Sequence, residues 1–355
     1  MNLKLNAVAP RAKLACRRLL FLFPALFLLI QFSATSVSAE SGKIAYAAGN
    51  AIYKMNPDGT SVEQLTFNFG YDRDFSPVWS PDGLKIAFVR LTYEATGQPG
   101  GSDGPLGGSD TTNYNSTYSI YTIDYNGANP TQIKSGSAFI NDLTWSPDGT
   151  KLAYVYGADT TFAGRLQSCS GNSYIYVVEA TAGGTTRRVH GTAGAIDPSW
   201  SPDGTKIYFA VNNNPETYGI YSIDLSTDDI TRITFDTVPP ADPEISPDGS
   251  KIAYAVNYNE DQCLAGNMST MGPSRIHIYR GSLIVHDIAQ NSSLVAAVGG
   301  ASSPSWHPDG SLILFVTTSG SEMEAPDLST ITPTGLNQTV IPNPEAGEIS
   351  GSWSP

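Results

Sequence analysis

The chain of 355 residues is poor in the groups on which most enzyme chemistry depends. It has 3 cysteines and 4 histidines. His190, His277, His286 and His307 show no metal-ligand spacing, and His307 stands where sister segments carry a turn serine, so metal or acid–base roles for them are not expected. Basic residues are also scarce: 20 Lys and Arg stand against 33 Asp and Glu, a net charge of −13. A field of that sign repels nucleic acid, anionic lipid and polyanionic polysaccharide, and favours cationic partners or divalent ions. After residue 39 no apolar run is long enough to span a membrane, and no helical pattern of useful length occurs. An attached α/β catalytic domain is therefore not expected.

The first 39 residues read as a secretory signal peptide. Lys4, Arg11, Lys13, Arg17 and Arg18 form a basic segment, Leu19 to Ile30 an apolar one, and Val37-Ser38-Ala39 a small-x-small cleavage site. An uncleaved N-terminal anchor is the alternative. Cleavage removes five basic and no acidic residues, which takes the net charge from −13 to −18. Residues 40–355 are then expected to be periplasmic or secreted, with no membrane span. Two cysteines remain, Cys169 and Cys263. An oxidising compartment favours a disulfide between them, and two free thiols are the alternative.

What the sequence does have is a repeat. W-S-P-D-G or a close variant begins at Trp79, Trp145, Trp200, Ile245 and Trp306, and a last copy, Trp353-Ser354-Pro355, is cut by the C-terminus. The turn positions Ser80, Ser146, Ser201, Ser246, His307 and Ser354 are 66, 55, 45, 61 and 47 residues apart, periods typical of propellers and related arrays. Each copy joins a short strand ending in the aromatic residue to an alternating one such as Lys85-Ile86-Ala87-Phe88-Val89. Ser, Pro, Asp and Gly in that order suit a tight type I turn. Third strands such as Ile220-Tyr221-Ser222-Ile223 and fourth strands such as Ile230 to Thr234 follow. Four strands in each of six units predict an all-β, six-bladed β-propeller. Lys43 to Ala47, Ile52 to Met55 and Gln64 to Thr66 supply three strands of one blade, and Ile349 to Trp353 supplies its inner strand, so the two ends of the chain close the ring.

These residues resemble the TolB-like propeller repeats, also described as WD40-like or PD40. Ile52 to Thr60 followed by Gln64-Leu65-Thr66 is similar to that family's outer hairpin, and Ser76 to Gly83 followed by Lys85 to Phe88 is similar to its inner hairpin. The resemblance covers essentially all of residues 40–355 and implies an exported protein-binding propeller. TolB itself carries an α/β domain before the propeller; here the leader runs directly into the repeat. Similar repeats occur in prolyl-oligopeptidase-like enzymes and some polysaccharide lyases, so the motif specifies the scaffold more tightly than the function.

Three insertions depart from the minimal repeat: Thr96 to Thr117, Ala158 to Asn172 with Cys169, and Asn257 to Arg275 with Cys263. Each joins a second strand to a third, which places all three on one face, around one mouth of the central channel. Gly100-Gly101-Ser102-Asp103-Gly104 matches a nucleophile-elbow pattern but lacks the strand–turn–helix context that the chemistry requires. Three residues before each Trp position stand Ser76, Asp142, Asp197, Asp242, Ser303 and Ser350. Asp142, Asp197 and Asp242 form an acidic arc at the mouth, with Glu244 beside them. They are the candidate ligand-binding residues, and oxygen ligands of this kind suit calcium. Alternatively, each carboxylate satisfies backbone N–H groups of its own turn. The repeated Trp residues are expected in the core between blades rather than as a sugar-stacking platform.

The leading expectation is a monomeric, non-enzymatic binding propeller without a cofactor, recognising an envelope or extracellular protein or peptide at this acidic, loop-rich face. A propeller-type polysaccharide lyase or hydrolase and a calcium-binding structural envelope protein are the alternatives.

Overall fold

The computed structural model describes residues 42–99, 112–157, 173–257, 281–317, 326–342 and 350–355. They lie within the unit Ser38–Pro355, and among them there are strands, turns and loops but no helix. Cys169, Cys263 and Ser102 lie outside the described residues.

Twenty-four strands form six antiparallel four-stranded sheets. The first blade holds β1 (Ile44–Ala48), β2 (Ala51–Met55) and β3 (Glu63–Gln64), with the last strand of the chain, β24 (Gly351–Trp353), at its inner edge. The second runs β4 (Arg73–Trp79), β5 (Lys85–Pro99), β6 (Thr112–Asp124), β7 (Thr131–Gly136). The third runs β8 (Phe139–Trp145), β9 (Lys151–Gly157), β10 (Ser173–Glu179), β11 (Thr186–Arg188). The fourth is β12 (Ala195–Trp200), β13 (Lys206–Val211), β14 (Gly219–Asp224), β15 (Ile230–Arg232), and the fifth β16 (Pro240–Ile245), β17 (Lys251–Asn257), β18 (Gly281–Asp287), β19 (Ser292–Val298). The sixth is β20 (Ser302–Trp306), β21 (Ile313–Thr317), β22 (Asp327–Ile331), β23 (Thr339–Ile341). Every blade is a simple meander from channel to rim, the six-bladed propeller that the repeat predicts.

The repeat motif builds the inner hairpins of the second to fifth blades the same way. Ser80 Oγ accepts the Lys85 N–H at 2.9 Å and donates to Asp82 Oδ1 at 2.6 Å, and the Gly83 N–H donates to the Ser80 carbonyl at 2.9 Å. Ser146, Ser201 and Ser246 repeat this pattern with Asp148, Asp203 and Asp248. The chain break falls inside one such turn. The Lys43 N–H donates to Ser354 Oγ at 2.7 Å, and the Ser354 N–H to the Lys43 carbonyl at 2.8 Å. Two chain ends thus make the hydrogen bonds that a continuous loop makes elsewhere, while Ile44, Ala45 and Tyr46 pair with Trp353, Ser352 and Gly351.

The core is a ring of clusters between neighbouring blades, each containing the aromatic or Ile of the repeat. Trp353 packs with Ile44, Met55 and Leu328, Trp79 with Ile86 and Phe88, Trp145 with Ile120 and Leu152. Trp200, Ile245 and Trp306 occupy the corresponding positions farther round. All five Trp are 5–8% exposed, so their role is packing.

One predicted insertion is more ordered than expected. Thr96 to Thr117 reads as a loop, yet β5 continues to Pro99 and β6 begins at Thr112. Thr92↔Thr117, Tyr93↔Ser116 and Glu94↔Asn115 stay paired after β4 and β7 have ended, so the two strands project from the blade as a ribbon. Alternating β-branched and aromatic residues, Thr92, Tyr93, Thr117 and Tyr118, explain the extension, because such residues favour pairing even without a sheet beside them.

Candidate functional site

The inner strands line a central channel with a cavity of about 420 Å³. Their residues reach it through a repeated backbone device. Ser76, Asp142, Asp197, Asp242 and Ser303 all adopt the left-handed conformation, with φ between 49° and 54°. Each coincides with a break in the register of inner and second strands, at Phe75/Val78, Asn141/Thr144, Ile196/Ser199, Ala241/Glu244 and Ser302/Ser305. A bulge with an αL residue re-aims a side chain, and Asp tolerates that conformation better than most residues because its short side chain can hydrogen-bond locally. The bulges bring Asp142, Asp197 and Asp242 onto the same rung of three successive blades, where they line the channel together with Glu244.

These carboxylates do not cap their own turns. Each reaches forward to the next blade. The Asp197 N–H donates to the Asp142 carboxylate. The Asp242 N–H donates to Asp197 Oδ2 at 2.8 Å, and the Ser303 N–H to Asp242 Oδ2 at 2.9 Å. The bonds run from the third blade to the sixth and fix their spacing at the mouth. Between the second and third blades Ser76 Oγ donates instead to Asn141 Oδ1 at 2.7 Å. Glu244 sits two residues farther along the inner strand, its Oε2 accepting from Ser199 Oγ at 3.4 Å, and its carbonyl accepts the Trp306 indole N–H at 2.9 Å.

Asp142 Oδ2 is buried and has no N–H or O–H donor, while its carboxyl lies within hydrogen-bonding reach of the Asp197 carboxyl. Two facing acceptors require a proton between them. Burial pushes Asp142 up to about 7, against hydrogen bonds from Asp197 that favour its ionised form. Burial, then the neighbouring Asp142 charge, raises Asp197 well above the ordinary carboxylate range. Burial, then repulsion from Asp197, takes Asp242 to about 7, and burial takes Glu244 to about 7. All four are half-buried and line the channel that the inner strands enclose.

The remaining channel lining is Ser, Thr, Pro, Gly, Trp and small aliphatic residues, with no His, Lys, Arg or Cys. Among the described residues no group of three or more His, Cys, Asp and Glu is arranged to hold a metal ion. The acidic arc is visible in sequence because the Trp positions align it. The bulge geometry and the cross-blade bonds are not, because both depend on which blade follows which.

The chain has relatives at the level of sequence and of fold. The family model described as PD40, TolB beta propeller domain, matches residues 159–355. An 82-residue segment, 23% of the chain, is 30% identical to the uncharacterized peptidase YuxL of Bacillus subtilis (strain 168), and spans 12% of that protein's length. TolB from Acinetobacter baumannii superposes with a TM-score of 0.63 at 21% identity, over 88% of this chain and 67% of that one. The hydrazine synthase of Kuenenia stuttgartiensis gives 0.60 at 11% identity, over 89% and 47%. A puromycin-hydrolyzing peptidase from Mycobacterium tuberculosis gives 0.54 at 14%, over 87% and 44%. At these identities the structures share the propeller, and their chemistries differ. The six repeats, the channel they enclose and the family match have one conclusion: the chain belongs to the TolB beta-propeller (PD40) family.

Proposed function

We propose that this protein is an exported propeller that binds an envelope or extracellular protein through a cationic peptide segment, taken at the mouth formed by Asp142, Asp197, Asp242 and Glu244. The observation that carries the reading is convergence. Bulges in three successive blades turn three carboxylates into one channel mouth, on the face from which the β5–β6 ribbon projects. Among the described residues the channel lining offers no His to activate a nucleophile and no Lys or Arg to hold an acidic sugar, which favours binding over lyase or hydrolase chemistry. Its cavity of about 420 Å³ admits a side chain or a chain terminus rather than a folded domain. A lysine, an arginine or a free N-terminus supplies the charge that the arc lacks.

A peptide-display selection against the purified protein, run with and without calcium, tests the proposal. Enriched sequences should carry Lys, Arg or a free N-terminus, and their binding should fall at least about tenfold in the D142N/D197N/D242N variant, the scale of one lost charge-assisted contact. Enriched peptides without cationic bias, or binding indifferent to the triple substitution, would sink it. Enrichment only in calcium would transfer the role to a bound ion.

A further inference from the structure

At the other end of the inner strands from the acidic arc, a cleft of about 670 Å³ opens between the third and fourth blades. The repeat provides a comparison for the charges there. The lysine that follows the turn motif faces an acidic residue across the second and third strands of its blade: Lys85 opposite Asp124, Lys151 opposite Glu179, Lys206 opposite Asp224 and Lys251 opposite Asp287. In the second and fifth blades an ion pair forms, at 3.0 Å for Lys85–Asp124 and 2.9 Å for Lys251–Asp287. In the third and fourth it does not, and of these two lysines only Lys151 lines the cleft. Lys151 Nζ bonds only its neighbour Thr150 Oγ1, at 3.3 Å, and among the described residues it makes no ion pair. Arg187, on β11 opposite Val177, makes none either. Both uncommitted cations line this cleft.

The other walls narrow the choice of ligand. Trp200, Val177 and Leu225, where the core between these two blades meets the cleft, give it an apolar side. Asp148, Asp203 and Glu179 supply negative charge. Ser and Thr of their own turns occupy one oxygen of Asp148 and of Asp203, and those hydrogen bonds hold both carboxyls at about 2, fully ionised. Three acids against two bases give a free phosphate or sulfate no net attraction. A bare cation meets Lys151 and Arg187. A molecule carrying both charges and an apolar group satisfies all three kinds of wall.

We propose that this cleft is a binding site for a small zwitterion with an apolar side chain, the chemical class of a free apolar amino acid. Its carboxylate lies against Lys151 and Arg187, its ammonium against Asp203 and Glu179, and its side chain against Trp200, Val177 and Leu225. The site is separate from the channel mouth and does not depend on what binds there.

Isothermal titration of the purified protein with L-phenylalanine tests the proposal, with phenethylamine, 3-phenylpropionate and inorganic phosphate as single-charge and plain-anion probes. L-Phenylalanine should saturate one site, and the single-charge analogues should bind about tenfold more weakly or less. K151A and R187A should each weaken L-phenylalanine by about tenfold, while K85A, at the paired position of the second blade, should not. Lys151 and Arg187 are not core residues, and an unchanged melting temperature confirms that the variants are folded. No saturable heat with L-phenylalanine overturns the inference, as does equal affinity for 3-phenylpropionate or phosphate, or an affinity unchanged in K151A/R187A.

Discussion

At the scale of single residues, the decisive features are carboxylates pushed in opposite directions by their surroundings. Asp148, Asp203 and Asp248 sit at about 2, held there first by their motif serines and then by the N–H and hydroxyl of the residue after each turn. Asp142, Asp242 and Glu244 sit at about 7, chiefly because of burial. The raised groups bind protons more tightly folded than unfolded. Their contribution to stability is fully present below about pH 4 and is lost as pH rises through about 7. His286 opposes them. Burial lowers it against the pull of Asp236 and Asp287, so its contribution holds above about 6.5 and is lost at lower pH. Three or four carboxylates outweigh one histidine. D142N/D242N should therefore flatten the rise in stability between pH 8 and pH 5, by an amount on the order of 2 kcal/mol, and chemical denaturation at the two pH values measures it. A wild-type profile that stays level over this interval would contradict the burial argument.

At the scale of the element, outer hairpins meet the neighbouring blade through backbone rather than side chain. Gly127, in the β6–β7 turn, has φ +80°, and a Cβ there would lie 2.8 Å from the Leu65 carbonyl oxygen of the first blade. Gly59 in the β2–β3 turn approaches the Pro342 carbonyl of the sixth blade in the same way. G127A should cost about 1–3 kcal/mol, from strain at positive φ together with the forced separation, and thermal denaturation reads it. A melting temperature equal to the wild type would show that the turn can move away freely. The hairpins themselves were legible in sequence, since Ser-Pro-Asp-Gly and Asn56-Pro57-Asp58-Gly59 name their turns. The length of the β5–β6 ribbon was not. Gly97 and Gly100-Gly101 read as loop, whereas pairing continues through Ala95↔Tyr114 to Pro99↔Thr112. Turn residues mark where a hairpin is permitted to end, and the strand propensity before them decides how far it runs.

At the scale of the whole molecule, closure depends on six C-terminal residues. Trp353 is 6% exposed among Ile44, Tyr46, Met55, Leu314 and Leu328, and β24 pairs with β1. W353A should cost about 3–5 kcal/mol, as for other buried aromatic residues. Deleting residues 350–355 should lower the melting temperature further, because it also opens a sheet edge. Ring closure was the most legible feature of the fold, since a half-motif at one end requires its complement at the other. The acidic arc was legible as a column of residues. Its chemistry was not, because the raised values arise only when Asp142, Asp197 and Asp242, 55 and 45 residues apart in sequence, share one enclosed rung. The zwitterion cleft was not legible at all: Lys151 and Glu179 look as well matched as Lys85 and Asp124 until the geometry leaves them apart.

The most direct test of the account is a carboxyl ¹³C NMR titration of the arc, with Asp142, Asp197 and Asp242 assigned through their Asn variants. The structure predicts that Asp142 and Asp242 titrate with midpoints near about 7 and Asp197 well above the ordinary Asp range, with the Asp142 and Asp197 curves coupled. Three independent curves near about 4, the value of a free aspartate, would contradict it and show that the three carboxylates do not share one enclosed, coupled rung.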